Sequence, residues 1–271
     1  MTFDGRIEAQ MTVPAGVSFT ATNSGGGPTT IAITPGTYYI SALVTHVQSQ
    51  LNALRTPANW TVTLSTGASG TGKVTINWTG AGTYSVAWTA SGTTLRDVLG
   101  FTADLSGVTQ GVPSTGAKQA RGLWIPDCTL GLDCDTPRAP LISDAMTVVS
   151  PRGDATVLVG NTMYRHTALR WSHVVESKTW EIAATIANAS WETFWKDVHL
   201  GQGGISWFSP GSKLKIFDHA ARVLGSDANG GAGVGGWVAS KGPAEIAPKK
   251  VDARGWGGMW RIEIPELVSS G

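Results

Sequence analysis

A chain of 271 residues has room for one large β-rich domain or two smaller ones, each able to bury a core. Thirty-five glycines and only 14% charged residues argue against a helical body, and a net charge of +1 leaves no electrostatic case for nucleic acid. From Ala9 to Leu95 the only formal charges are Arg55 and Lys73, which points to a surface covered by neighbouring subunits or one solvated by Thr, Ser and Asn.

Met1 opens into MTFDGRIEAQ, with no basic segment leading an apolar one, so no secretion signal is expected. No run approaches the roughly 18 apolar residues of a membrane-spanning helix. Residues 5–13 (GRIEAQMTV) partly alternate as a half-buried strand does, and short strands are expected at 30–33 and 37–40 about the Pro35-Gly36 turn. Ser41 then starts SALVTHVQSQLNALR, whose Leu43, Val47, Leu51 and Leu54 share one helical face. Ser41 is the expected N-cap, Pro57 stops the chain beyond Arg55, and His46, beside Val47, reads as a polar-face residue.

Three strands follow. Residues 59–65 place Trp60, Val62 and Leu64 on one face, 73–78 do so with Val74, Ile76 and Trp78, and 83–89 with Tyr84, Val86 and Trp88. Joined by Gly-rich turns, they read as a three-stranded antiparallel meander against the helix. The first turn contains GASGTGKV, close to the Gly-x-x-x-x-Gly-Lys-[Ser/Thr] phosphate loop. A phosphate loop needs a helix after it and a hydroxyl to hold Mg²⁺; here a strand follows and the hydroxyl position is Val74. The run is therefore expected to be a hairpin connection. An amphipathic turn over 94–99 ends in Gly100-Phe101, and residues 102–118 lose all hydrophobic period, as a linker does.

Past the linker, strands are expected at 120–125, 156–159, 167–175, 179–187, 205–208, 214–217, 236–239 and 258–264. A helix is expected at 190–200, where Trp191, Phe194, Trp195 and Val198 keep one face, with Ser190 as cap and Gly201 just past the end. The segment 127–135 gathers Asp127, Asp133, Asp135, Cys128 and Cys134. Its spacing is not that of a zinc site; two free thiols, a short disulfide, and a hard-cation site on the three carboxylates are the readings it leaves. GAGVGG at 231–236 has dinucleotide-loop spacing but neither the preceding apolar strand nor a following helix. His46, His166, His173, His199 and His219 form no catalytic or metal pair, so no enzyme, cofactor or metal is expected.

The expected fold is mainly β with an α+β amino-terminal part. Antiparallel, sandwich- or barrel-like sheets carry one amphipathic helix packed on the meander, followed by a second β-rich domain. The division is 1–101, a linker at 102–118, and 119–271. Nine of the twelve tryptophans lie after Lys118 and are expected mostly in the core and at subunit contacts.

Two segments resemble virion proteins of tailed bacteriophages. The first is GTYYISALVTHVQSQLNAL, then WTVTLS, GKVTINW, YSVAWT and the closing LRDVLGF, which looks like a module of phage tail and tail-associated proteins. The second, looser, begins at Gly122-Leu123-Trp124-Ile125-Pro126-Asp127 and continues through Tyr164-Arg165 and Arg170-Trp171; it is similar to minor-tail or distal-tail proteins. The resemblance implies a structural component of the tail or its baseplate-proximal end, assembled in the host bacterial cytoplasm. It implies partners among copies of itself in a ring or tube and other tail or head–tail proteins, without base recognition, a membrane span or a cofactor. Trp207, Phe208, Trp237, Trp256 and Trp260 are the expected subunit-contact residues. The competing expectation is a receptor- or carbohydrate-binding tail module with exposed Trp rings.

Overall fold

The computed structural model describes residues 5–24, 26–54, 59–66, 70–125, 132–134, 141–149, 155–174, 190–198, 204–208, 213–217, 223–224, 237–238, 249–250 and 260–269; in 132–174 and from 223 onward it is the backbone that is described. The amino-terminal part runs β1 (Arg6–Ala9), β2 (Met11–Val13), β3 (Ser18–Asn23), β4 (Thr29–Ala32), β5 (Gly36–Tyr38), α1 (Ile40–Leu54), β6 (Trp60–Leu64), β7 (Val74–Trp78), β8 (Thr83–Ala87), α2 (Thr93–Val98), β9 (Leu105–Thr109) and β10 (Ser114–Thr115). There follow β11 (Leu123–Trp124), β12 (Leu132–Cys134), β13 (Leu141–Val149), β14 (Ala155–Val174), α3 (Trp191–Val198), β15 (Lys213–Phe217), β16 (Val223–Leu224), β17 (Trp237–Val238), β18 (Lys249–Lys250) and β19 (Trp260–Ser269). The protein is mainly β, its described pairings are all antiparallel, and one helix packs on strands.

The alternation in β6 and β7 works as a sheet pleat requires. Trp60 faces Trp78, Val62 faces Ile76 and Leu64 faces Val74, all turned to the core, while Thr61, Asn77, Thr63 and Thr75 turn outward. β10 extends this sheet on the β7 side. The hairpin reading of GASGTGKV holds for its described part: Gly72 N–H donates to the Ser65 carbonyl and Val74, fully buried, opens β7. The expected third strand of the meander does not join it. β8 instead sits between β3 and β9 in a separate four-stranded sheet ordered β4-β3-β8-β9. Tyr84 of β8 spans the gap: its hydroxyl lies 3.0 Å from the Ile76 carbonyl and 2.9 Å from Ser114 Oγ, and its ring meets Trp60 edge-on.

Other expectations are corrected in the same way. Residues 5–13 are two strands broken at Gln10, because β2 pairs with β5 while β1 pairs with β11 and β15 of the ten-stranded sheet. Strands 30–33 and 37–40 do not pair across Pro35-Gly36; β4 goes to β3 and β5 to β2. Residues 102–118, expected as a linker, supply β9 and β10. They lack an apolar period because β9 is an edge strand with mostly exposed side chains. Residues 205–208 form a turn rather than a strand, and 156–159 and 167–175 fall largely on the continuous β14. The strand expected at 179–187 and the loop at 231–236 lie outside the described residues.

α1 buries Ile40, Leu43, Val44, Val47 and Leu51. It starts one residue before the expected cap. Ser41 lies inside it, and its N–H and Oγ both donate to Glu8 Oε2, at 3.2 and 2.6 Å. A carboxylate from β1 thus does what the local cap was expected to do, at a helix end that favours negative charge. α3 keeps its expected cap, Ser190 Oγ accepting from the Thr193 N–H at 3.1 Å.

The closing motif Val98-Leu99-Gly100-Phe101 is a C-terminal helix lock. Phe101 N–H donates to the Arg96 carbonyl and Gly100 N–H to Asp97, the paired bonds that satisfy carbonyls left over at a helix end. Gly100 takes φ +81°, and a β-carbon there would lie 2.3 Å from the Lys118 carbonyl oxygen. Lys118 N–H donates to Gly100 and Arg121 N–H to Val98, so the motif also seats the segment leading into β11.

Candidate subunit interface

The charge-poor stretch of sequence becomes two outward sheet faces. On the four-stranded sheet, Thr20 stands between Thr30 and Ala87, Ser18 beside Ala32, Thr22 beside Ser85, and Thr83 beside Thr109. On the β10-β7-β6 sheet, Thr75 stands between Thr63 and Thr115, with Thr61 beside Asn77. Their partners along each strand, from Phe19 and Ala21 to Ile76 and Val86, are buried. The outward faces are therefore uncharged, short-chained and rich in hydroxyls. Covering such a face costs no charge desolvation and immobilises few long side chains, which are the usual penalties of burying surface. Hydroxyls already satisfy one another in places, as at Thr75 Oγ1 and Thr115 Oγ1, 2.9 Å apart.

The edges are treated differently from the faces. β6 would expose backbone groups on the side away from β7, but α1 covers them. Asn52 takes both the N–H and the carbonyl of Trp60 at 3.0 Å, and Gln48 Oε1 accepts the Val62 N–H at 2.8 Å. That occupies three of the backbone groups another strand would need along this edge of β6. β9 carries a bulge opposite Ser85, with Gly107 at φ +59°, which twists that edge.

Trp207 and Phe208, expected at a subunit contact, are 4% and 5% exposed and belong to the protein's own core. Trp207 is held there because its carbonyl accepts the Thr12 N–H of β2, and Phe208 because it packs under Gly122, where a β-carbon would meet its ring at 2.7 Å. Trp237 begins β17 and Trp260 begins β19, both in the ten-stranded sheet; Trp256 lies outside the described residues. Trp60, Trp78, Trp88, Trp124, Trp191 and Trp195 are buried too, so none of these rings offers a face to a sugar. Trp191 and Trp195 of α3 stack with centroids 5.5 Å apart, and Trp124 of β11 meets Trp191 edge-on at 4.9 Å.

Among the described residues, and besides the Glu192–Lys196 pair along α3, charge gathers at two places. At the first, Glu8 is fully buried: Arg6 Nε donates to Oε1 at 2.8 Å, and Oε2 receives Ser41. Arg6 also lies 3.6 Å over the Phe217 ring of β15, so this ion pair ties β1, α1 and β15 together. Beside it, burial first and the Glu8 carboxylate second push the Tyr39 hydroxyl above its ordinary range. The second is a cleft of about 380 Å³ lined by Arg96, Asp97, Lys118, Arg121, Phe101 and Ile205, among others. Arg96 is neutralised there by Asp97, and Arg121 pairs with the 2%-exposed Asp197 of α3. Among the described residues no group of His, Cys, Asp and Glu is placed to hold a metal ion, and the reading of Asp127, Asp135 and Cys128 falls outside them.

No described helix is long and apolar enough to cross a membrane. Compared with protein-family models, with characterised proteins and with solved structures, the chain finds no match.

Proposed function

We propose that the chain is a structural subunit of a tailed-bacteriophage particle, in the tail or its baseplate-proximal end, where copies join into a ring or tube. The observation that carries this reading is the pair of uncharged, hydroxyl-lined sheet faces built from residues 18–115. The resemblance of the 36–101 segment to phage tail modules supports it, and the Leu-Gly-Phe closure of that segment is the helix lock that seats residues 118–121. The joining surface is then these faces rather than Trp207 and Phe208, which the protomer uses internally. The chemistry is geometric: each copy presents a rigid, charge-free surface to the next, and symmetry repeats the contact. Sedimentation of the purified protein, together with mass spectrometry of purified phage particles, tests the proposal. A defined oligomer and a stoichiometric band in particles are expected. A monomer at every concentration, missing from particles, overturns it.

A further inference from the structure

The loop between β4 and β5 is fastened to α1 by one imidazole. Thr34 N–H donates to His46 Nε2 at 3.2 Å. The Tyr38 ring stacks on the imidazole with centroids 5.3 Å apart and planes 29° from parallel. Tyr38 then donates its phenol to the Thr34 carbonyl at 2.9 Å, closing residues 34–38 on themselves. An N–H donor aimed at Nε2 requires a bare lone pair there, so the bound imidazole is neutral with its proton on Nδ1.

We propose that His46 is a proton-controlled clasp: neutral, it holds loop 34–38 and β5 against α1, and protonated at Nε2 it releases them. A proton from solvent converts the acceptor into a donor and sets two N–H groups against each other. Among the described residues, no carboxylate on the elements packed against α1 is left to compensate the new charge, and the one further cation near the start of the helix, Lys215, lies over the Tyr39 ring. β4, β6 and the rest of α1 carry no ionisable side chain, and β5 contributes only Tyr38. The charges of β1, Arg6 and Glu8, are engaged with each other and with Ser41 at the start of the helix. Among the described residues β5 has only β2 as a strand partner, over three residue pairs; besides the imidazole, the segment is held by the Ile33 N–H on the Val17 carbonyl and by Tyr38 packing on the core. Burial moves His46 below the ordinary histidine range, which places the release under about pH 6.5. The clasp acts within one protomer and does not depend on the assembly reading.

Hydrogen–deuterium exchange of the full-length protein, corrected for intrinsic exchange and read from pH 7.5 to pH 5, tests it. Protection of a peptide covering residues 34–39 is expected to fall about tenfold on acidification, the scale of one lost hydrogen bond with a donor left facing a charge. A peptide covering β3 is expected to hold its protection. In His46→Gln, whose amide oxygen reaches the same place without titrating, the pH dependence is expected to vanish. Constant protection of 34–39, or a fall shared equally by β3, overturns the clasp, as does an unchanged response in His46→Gln. If that variant fails to fold, the comparison of the two wild-type peptides decides alone.

Discussion

Gly100→Ala measures how much of the fold hangs on the helix lock. The substitution puts an L side chain at φ +81°, a left-handed conformation costing about 1–2 kcal/mol. Its β-carbon would also sit 2.3 Å from the Lys118 carbonyl oxygen and 3.2 Å from that of Gln119. Both are backbone atoms, so no side chain can swing away, and the 118–121 segment must move. That movement breaks Lys118 N–H to Gly100 and Arg121 N–H to Val98, at 3.0 and 2.8 Å, each worth about 1 kcal/mol net. The sum is about 3–4 kcal/mol, a large share of the roughly 5–15 kcal/mol of a typical domain. Gly107→Ala is the control: φ is +59° and nothing lies within 4 Å of the new β-carbon, so only the conformational term of about 1 kcal/mol remains. Urea unfolding reads both. At a slope of about 3 kcal/mol per molar, Gly100→Ala should shift the midpoint about 1 M and Gly107→Ala about a third of that. Equal shifts in the two variants would refute the close-approach argument.

Three further outcomes follow from named contacts. Asp197→Ala leaves Arg121 without its carboxylate in a mostly buried setting and is expected to lower unfolding stability by roughly 2–4 kcal/mol in denaturant titration. Asn52→Ala strips the edge of β6 of both its bonds at Trp60 and is expected to cost about 1–3 kcal/mol, with exchange of the Trp60 amide accelerating in step. Because the folded-state pKa of His46 lies below its unfolded value, the unfolded chain binds the proton first. Stability is therefore full above the ordinary histidine range and declines as pH falls from about 6.5 through the folded pKa. Melting temperature against pH checks this, and His46→Gln should flatten that part of the curve.

Local order was written in the sequence wherever one side of an element meets core and the other meets solvent. Trp60, Val62 and Leu64 alternate for that reason, and Leu43, Val47 and Leu51 keep helical spacing for the same one. What was not legible is who pairs with whom across long gaps. β1 finds β15 with Glu8 opposite Lys215, and nothing near Glu8 announces a partner so far along the chain. Ser41 looked like a cap because capping chemistry is local in sequence, whereas the group that bonds its amide comes from another strand. The period vanished over 102–118 because β9 is an edge strand whose two core-facing residues, Leu105 and Val108, are set three apart by a bulge, so no alternation is left to read. Trp207 and Phe208 show the matching limit at the candidate interface: aromatic side chains serve cores and contacts alike, and only burial tells them apart. The outer faces were legible as a property, the absence of charge between Ala9 and Leu95, but not as a surface until the register lined Thr20 up with Thr30 and Ala87.

Thr20→Lys places one ammonium in the middle of the outer face of the four-stranded sheet, at a partly exposed position where protomer stability should change by no more than about 0.5 kcal/mol. Sedimentation velocity of wild type and variant side by side is the direct test. Wild type is expected to sediment as a defined oligomer and Thr20→Lys as a folded protomer with an unchanged melting temperature. A wild type that stays monomeric, or a variant that assembles as well as wild type, would contradict assembly through this face.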